Sequence, residues 1–126
     1  MGVVNGLGAL VLVDVIDNIV ANTQWVEIGT GTTAADPSDT TLVSAVVRNA
    51  RQTYTQTPSS VTISGYFSST QGNGNDITEY GVINGVYNTS SFGTLISRDV
   101  ATAITKTSSI EIWVDETYNV TITLNT

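Results

Sequence analysis

The sequence predicts an all-β fold: an antiparallel β-sandwich, of which the jelly roll is one form, with about seven to eight strands behind one short N-terminal helix. Three observations predict it. Thr and Ser make up roughly a quarter of the chain, and Thr favours strands by its β-branch while Ser favours turns. Apolar and polar residues alternate through several short segments, the pattern of strands buried on one face. Turn-forming residues separate these segments at about 8–12 residues with no helical segment between them, so neighbouring strands are expected to run antiparallel. At 126 residues the chain fits one domain, with residues 1–22 as a helical lead and residues 23–126 as the sandwich.

Taken in order, residues 10–21 read as the helix. Leu12, Val13, Ile16, Ile19 and Val20 recur at helical spacing, Asp14, Asp17 and Asn18 lie toward the other face, and Asn22 suits a stop. The β-branched content opposes a helix, so a strand over residues 9–15 competes. Residues 25–30 alternate, with Val26 and Ile28 on one side and Trp25 and Glu27 on the other, and leave through Gly29-Thr30-Gly31. Residues 32–39 form a loop around Pro37, where Ser38 or Asp39 could cap a short helical turn toward Leu42. Residues 44–55 alternate as one long strand with neither side cleanly apolar, as at a sheet edge.

After a turn at Pro58-Ser59-Ser60, residues 61–68 have a clean period of two, with Val61, Ile63, Gly65 and Phe67 on one face. The run from Gln71 to Asp76 is a Gly/Asn-rich loop. Residues 77–83 form a strand, Asn84-Gly85 is a hairpin dipeptide, and residues 88–93 are a second loop. Residues 94–100 and 101–104 follow as two short strands. Ile110, Ile112 and Val114 then alternate with Glu111 and Trp113, Asp115-Glu116 interrupts as a hairpin tip, and Val120, Ile122 and Leu124 make the last strand. The expected core is Val26, Ile28, Val61, Ile63, Phe67, Ile83, Ile110, Ile112, Val120 and Ile122.

Composition narrows the function. Only 12% of residues are charged and the net charge is −7. The four cations are Arg48, Arg51, Arg98 and Lys106, which make no basic patch, so nucleic acid and anionic membranes are not expected partners. The apolar stretch of residues 1–21 lacks the cationic start of a signal peptide and is broken at Asp14. It is too short to span a bilayer, and it reads as part of the fold. With no Cys and no His, the chain has no disulfide, no thiolate nucleophile and no imidazole base or metal ligand. A surface poor in Lys and rich in Thr, Ser and Asn loses little side-chain entropy when it packs against a neighbour. That composition suits either repeated assembly or a soluble acidic domain kept apart by charge.

The motifs are weak as chemistry. Gly29-Thr30-Gly31 lacks the third glycine of a dinucleotide loop and the lysine of a P-loop, so a tight strand exit is the structural expectation. Glu79 with Asp76, and Asp115 with Glu116 and Glu111, are the carboxylates a glycosidase would need, but all sit where solvated acids ordinarily sit. Asn73, Asn75 and Asp76 offer oxygen ligands for calcium without the spacing of an EF-hand. Asn88 and Asn119 match the glycosylation acceptor pattern, as chance allows in so Asn- and Thr-rich a chain. The aromatics Trp113, Tyr66, Tyr80 and Tyr87 are candidates for surface contact or glycan stacking, against cross-strand packing as the plainer role. No catalytic, cofactor or metal residue is assigned.

Several segments together resemble a known group. The run Trp25-Val26-Glu27-Ile28-Gly29-Thr30-Gly31-Thr32-Thr33 and the run Pro37-Ser38-Asp39-Thr40-Thr41-Leu42 are followed by Ile77-Thr78-Glu79-Tyr80-Gly81-Val82-Ile83-Asn84. Gly93-Thr94-Leu95-Ile96-Ser97-Arg98 and Ile104-Thr105-Lys106-Thr107 come last. In this order they resemble small virion proteins of tailed phages and related archaeal viruses, described as tail-fibre-like or tail-associated components and as head accessory proteins. The likeness spans most of the chain; Tyr80, Val82 and the loop of residues 88–91 depart from it. It implies a non-enzymatic structural protein located in the virion, as a capsid decoration, a vertex component or a tail-fibre-associated part. Its expected partners are itself as a symmetric homo-oligomer, other virion proteins and host surface glycans. The alternative is a carbohydrate- or host-receptor-binding module.

Overall fold

The computed structural model describes residues 24–85 and 93–119. Among the described residues there are seven strands and no helix: β1 (Gln24–Gly29), β2 (Ala45–Ala50), β3 (Thr53–Thr57), β4 (Ser60–Phe67), β5 (Asp76–Gly85), β6 (Gly93–Thr105) and β7 (Ile112–Asn119). They form two antiparallel sheets, one of four strands in the order β2-β1-β5-β6 and one of three in the order β3-β4-β7. The expected helix over residues 10–21 and the expected last strand, with Val120 and Ile122, lie outside the described residues.

The period-two pattern places the core. Val26 and Ile28 of β1 register with Val82 and Tyr80 of β5, so these four side chains share the inner face of the four-stranded sheet. Val61, Ile63 and Phe67 of β4 share a face with Ile112 and Val114 of β7. The two inner faces meet in one apolar cluster, which also takes in Ile77. Burying each such side chain contributes about 1.5–3 kcal/mol before the cost of ordering the chain. The sheets approach closely where β4 carries Gly65: a Cβ there would lie 2.4 Å from the Cβ of Val26.

Of the expected core residues, Val26, Ile28, Val61, Ile63, Phe67 and Ile112 are buried in this cluster, and Ile110 is half-buried against it. Ile83 is buried on the other face of β5, opposite Trp25. Leu42, Ile77, Val82 and Val114 are buried beyond the expected set.

Several strand boundaries differ from the sequence reading, among them Asn84-Gly85, which ends β5 in register with Thr94 and Gly93 rather than making a hairpin turn. Residues 44–55 are two strands, because Arg51 donates its amide to Gln24 in the first sheet while Gln52 donates to Ser64 in the second. The chain crosses between the sheets there, which alternation alone does not reveal. Residues 94–104 lie in a single strand, β6, whose register slips where Ile77 pairs with Ile104 but Glu79 with Val100. Such a bulge mimics a break in sequence. Asp115 and Glu116 are not a hairpin tip; both lie within β7, paired with Ser64 and Ile63.

One margin of the two sheets is stitched by the β2–β3 crossing. At the other margin β6 and β7 are edge strands of different sheets. A cleft of about 200 Å³ opens there, lined by Ile77, Ile104, Ile112 and Trp113 among others.

Candidate functional site

Glu79 is held by four donors. It lies on the outer face of β5 yet is 0% exposed, because residues 30–44 fold over it. Its Oε1 accepts the amides of Gly31 at 3.1 Å and Ser44 at 2.7 Å, and its Oε2 accepts the amide of Val43 at 3.0 Å. Oε2 also pairs with Nε of buried Arg98, on β6, at 2.8 Å. Burial pushes the carboxyl upward, but the Ser44 amide, the Arg98 guanidinium and the Val43 and Gly31 amides outweigh it and hold it below its usual range. Arg98 turns its other nitrogens to the loop, reaching Thr33 O at 2.7 Å, Ala34 O at 3.4 Å and Asp39 Oδ2 at 3.0 Å. Glu79 is therefore not the solvated acid its sequence position suggested. The signal that could have found it is Gly29-Thr30-Gly31 itself. Its Gly31 supplies one of the three backbone amides that hold the chain's own carboxylate, and Val43 and Ser44, at the far end of the loop, supply the other two.

The Asn/Gly loop is also closed from within. Lys106 is 0% exposed, and its ammonium donates to Asn73 Oδ1 at 2.9 Å and Thr107 O at 3.2 Å. Gly74 donates its amide to Lys106 O, and Lys106 its own to Asn75 O. Asn75 spends its side-chain amide on Gly72 O at 3.1 Å, and Asp76 accepts from Thr105 Oγ1 at 2.7 Å. The cation held by this loop is an ammonium group. Among the described residues, no three carboxylates cluster as metal ligands.

Across the open margin, β6 and β7 touch through side chains. Ser97 and Tyr118 share a hydrogen bond of 2.6 Å between their hydroxyls. Glu116 hydrogen-bonds Asp99; burial and this second carboxyl raise it to about 8, so the pair holds a proton at neutral pH. Tyr80 faces the same spot. Its hydroxyl is raised by burial and then by Asp99 and Glu116. Tyr80, expected as a surface contact, is thus turned inward. Its register partner is Ile28, and β5 is covered on both faces, by the second sheet and by residues 30–44, so its alternation could not say which face was free.

Trp113 and Tyr66 stand where a contact surface would need them. They are a cross-strand pair on the outer face of the three-stranded sheet, with ring centroids 4.8 Å apart and planes tilted by 42°. Trp113 is 55% exposed. Burial, and then the Glu111 carboxylate beside it, raise the Tyr66 hydroxyl. Below the pair the face is tiled with short polar side chains, in a row of Thr53, Ser64 and Asp115 and a row of Thr55, Thr62 and Thr117. Ser64 donates to Asp115 at 2.5 Å, and the hydroxyls of Thr62 and Thr117 lie 2.9 Å apart. Tyr87 lies outside the described residues. The chain matches no protein-family model and no curated protein.

Proposed function

We propose that the chain is a non-enzymatic structural protein of a virus particle: a β-sandwich, present in repeated copies, that acts through its faces in contact with itself and with other virion proteins. One observation carries this reading. Four of the five segments on which the resemblance rests meet around Glu79. Gly29-Thr30-Gly31, the loop through Asp39 and Leu42, the strand of Glu79 and the strand of Arg98 form one buried clasp. In this chain those segments build a device for holding the fold. Virion components need rigid, repeated surfaces, and a clasp that ties a 15-residue stretch (residues 30–44) to a sheet supplies one. The carboxylates are engaged structurally: Glu79 by four donors, Asp115 by Ser64, and Glu116 by Asp99. Mass spectrometry of purified particles of the virus that encodes it is expected to find the chain in stoichiometric amounts. Its absence from particles would sink the reading. Light scattering on the purified protein is expected to give a closed homo-oligomer, five copies pointing to a vertex and three to a fibre or capsid decoration.

A second reading has its own observation. Trp113 is exposed beside Tyr66 on a polar face that carries no cation, an arrangement that suits a carbohydrate- or host-receptor-binding module. The two readings are compatible, since an outward-facing virion protein can also hold a host glycan.

A further inference from the structure

We propose that the outer face of the three-stranded sheet is a track for an uncharged polysaccharide chain, with Trp113 as the platform on which one sugar ring stacks. The proposal rests on the second reading above and names its site and ligand class. The platform stands formed without a ligand: Trp113 leans on Tyr66, with ring centroids 4.8 Å apart. A ring packed on its neighbour and 55% exposed offers apolar area to the C–H face of a sugar, and an aromatic side chain loses little entropy in doing so.

The rows below the platform extend the site. Successive rows on one face are about 6.8 Å apart along a strand, and neighbouring strands about 4.8 Å apart. The short side chains of Thr55, Thr62 and Thr117 therefore form a regular grid of hydroxyls, each able both to donate and to accept. The pairs Thr62 with Thr117 and Ser64 with Asp115 already fix their orientation, and each oxygen keeps capacity for a ligand hydroxyl. A repeating polyol is the chemistry that such a grid complements.

Charge selects among polyols. None of the four cations lies on this face: Arg98 and Lys106 are buried, Arg48 pairs with Glu27, and the Arg51 guanidinium sits over the ring of Tyr54. Tyr54 belongs to the opposite face of the sheet, in register with Ile63. Glu111 and Asp115 flank the platform instead. Sialylated, uronate or sulfated chains would meet two carboxylates and no counter-charge. A second copy laid on this face by two-fold symmetry would put four carboxylates and no cation into one interface, which disfavours self-contact there.

The test is affinity electrophoresis of the intact protein through gels containing dextran, hydroxyethyl cellulose or galactomannan, with polygalacturonate and polysialic acid as anionic controls, supported by a glycan array. Retardation is expected in at least one neutral polymer and in neither anionic one. Trp113→Ala is expected to weaken it tenfold or more, Trp113→Phe to restore part of it, and Thr117→Glu to weaken it several-fold. Both substituted side chains are exposed, and an unchanged melting temperature would show that the variants fold. Loss with Trp113→Ala but not with Thr117→Glu would remove the track and leave the glycan reading standing. No retardation by any neutral polymer, preference for the anionic ones, or wild-type binding by Trp113→Ala would overturn both. A dimer that depends on Trp113 in light scattering would assign the face to a second copy and overturn the proposal.

Discussion

The carboxylate of Glu79 occupies the space that a side chain at Gly31 would need. A Cβ on Gly31 would lie 2.7 Å from Glu79 Oε1 and 2.6 Å from the Cβ of Val43. One on Gly29 would lie 2.6 Å from the same oxygen and 2.4 Å from Ser44 O. Neither glycine has a positive φ among those that do, Gly72, Gly74 and Gly93. The requirement is therefore room for an anion, not a left-handed backbone. Gly31→Ala is expected to destabilise the fold by about 1–3 kcal/mol, the usual cost of overpacking. Urea unfolding at pH 7 checks it, and a variant as stable as the parent would mean that residues 30–44 can lift off β5 freely.

The ion pair itself predicts an asymmetry. Removing one member of a buried pair costs about 3–5 kcal/mol because the other charge is stranded, whereas replacing both by apolar groups is often far less costly. Glu79→Leu is expected to fall at the lower end of that range, since it leaves Arg98 Nε and three loop amides without their acceptor while Asp39 stays paired with the guanidinium. Adding Arg98→Met is expected to recover part of the loss. If the double variant is less stable than Glu79→Leu alone, the bonds from Arg98 to Thr33, Ala34 and Asp39 outweigh the stranded charge.

These two relationships show what was legible in the sequence. The inner faces were: period-two alternation in β4 and β7 places Ile63, Phe67 and Ile112 correctly, because a strand with one dry face must alternate. β5 was less so, because it is covered on both sides. There an acid such as Glu79 looks like an ordinary polar alternate until the loop above it is known. Nothing local in sequence ties Gly31 to Glu79, 48 residues away. Alternation put Trp113 on the face opposite Ile112 and Val114, where it is exposed, but it could not say that Tyr80 turns inward, because both faces of β5 are covered. Nor could alternation reveal the crossing at Arg51-Gln52, since both strands keep the same period.

Lys106 carries a prediction about cations. Its ammonium already serves Asn73 and Thr107 in the Asn/Gly loop, so calcium is expected to leave the melting temperature unchanged relative to a chelated sample. Lys106→Met keeps the stem but leaves those acceptors unpaired, and is expected to cost about 1–3 kcal/mol. A calcium-dependent rise in the parent protein would show instead that the loop's oxygens accept a metal in competition with the ammonium.

The pair Asp99 and Glu116 predicts how stability depends on pH. Glu116 rises from an ordinary 4.5 to about 8 in the folded chain, so between those values the native state binds a proton that the unfolded state has released. Its contribution is whole below pH 4.5 and is lost as pH rises toward 8, where ionisation sets two carboxylates against each other between β6 and β7. Glu79 acts in the opposite sense. Its carboxyl is held below 4.5, so the stability it supplies is present above that value and lost as pH falls below it. Together they place maximum stability near pH 4.5–5, on the acid side of neutrality. Between pH 5 and pH 8 the decline is expected to be about 1–2 kcal/mol, since solvent at the open margin screens part of the repulsion. Glu116→Gln keeps a neutral hydrogen-bonding group beside Asp99 and is expected to flatten that limb while leaving the acid limb, set by Glu79, in place. Thermal unfolding at half-unit steps from pH 3 to pH 9 measures both limbs, and equal slopes for the parent and Glu116→Gln above pH 5 would show that the pair does not share a proton.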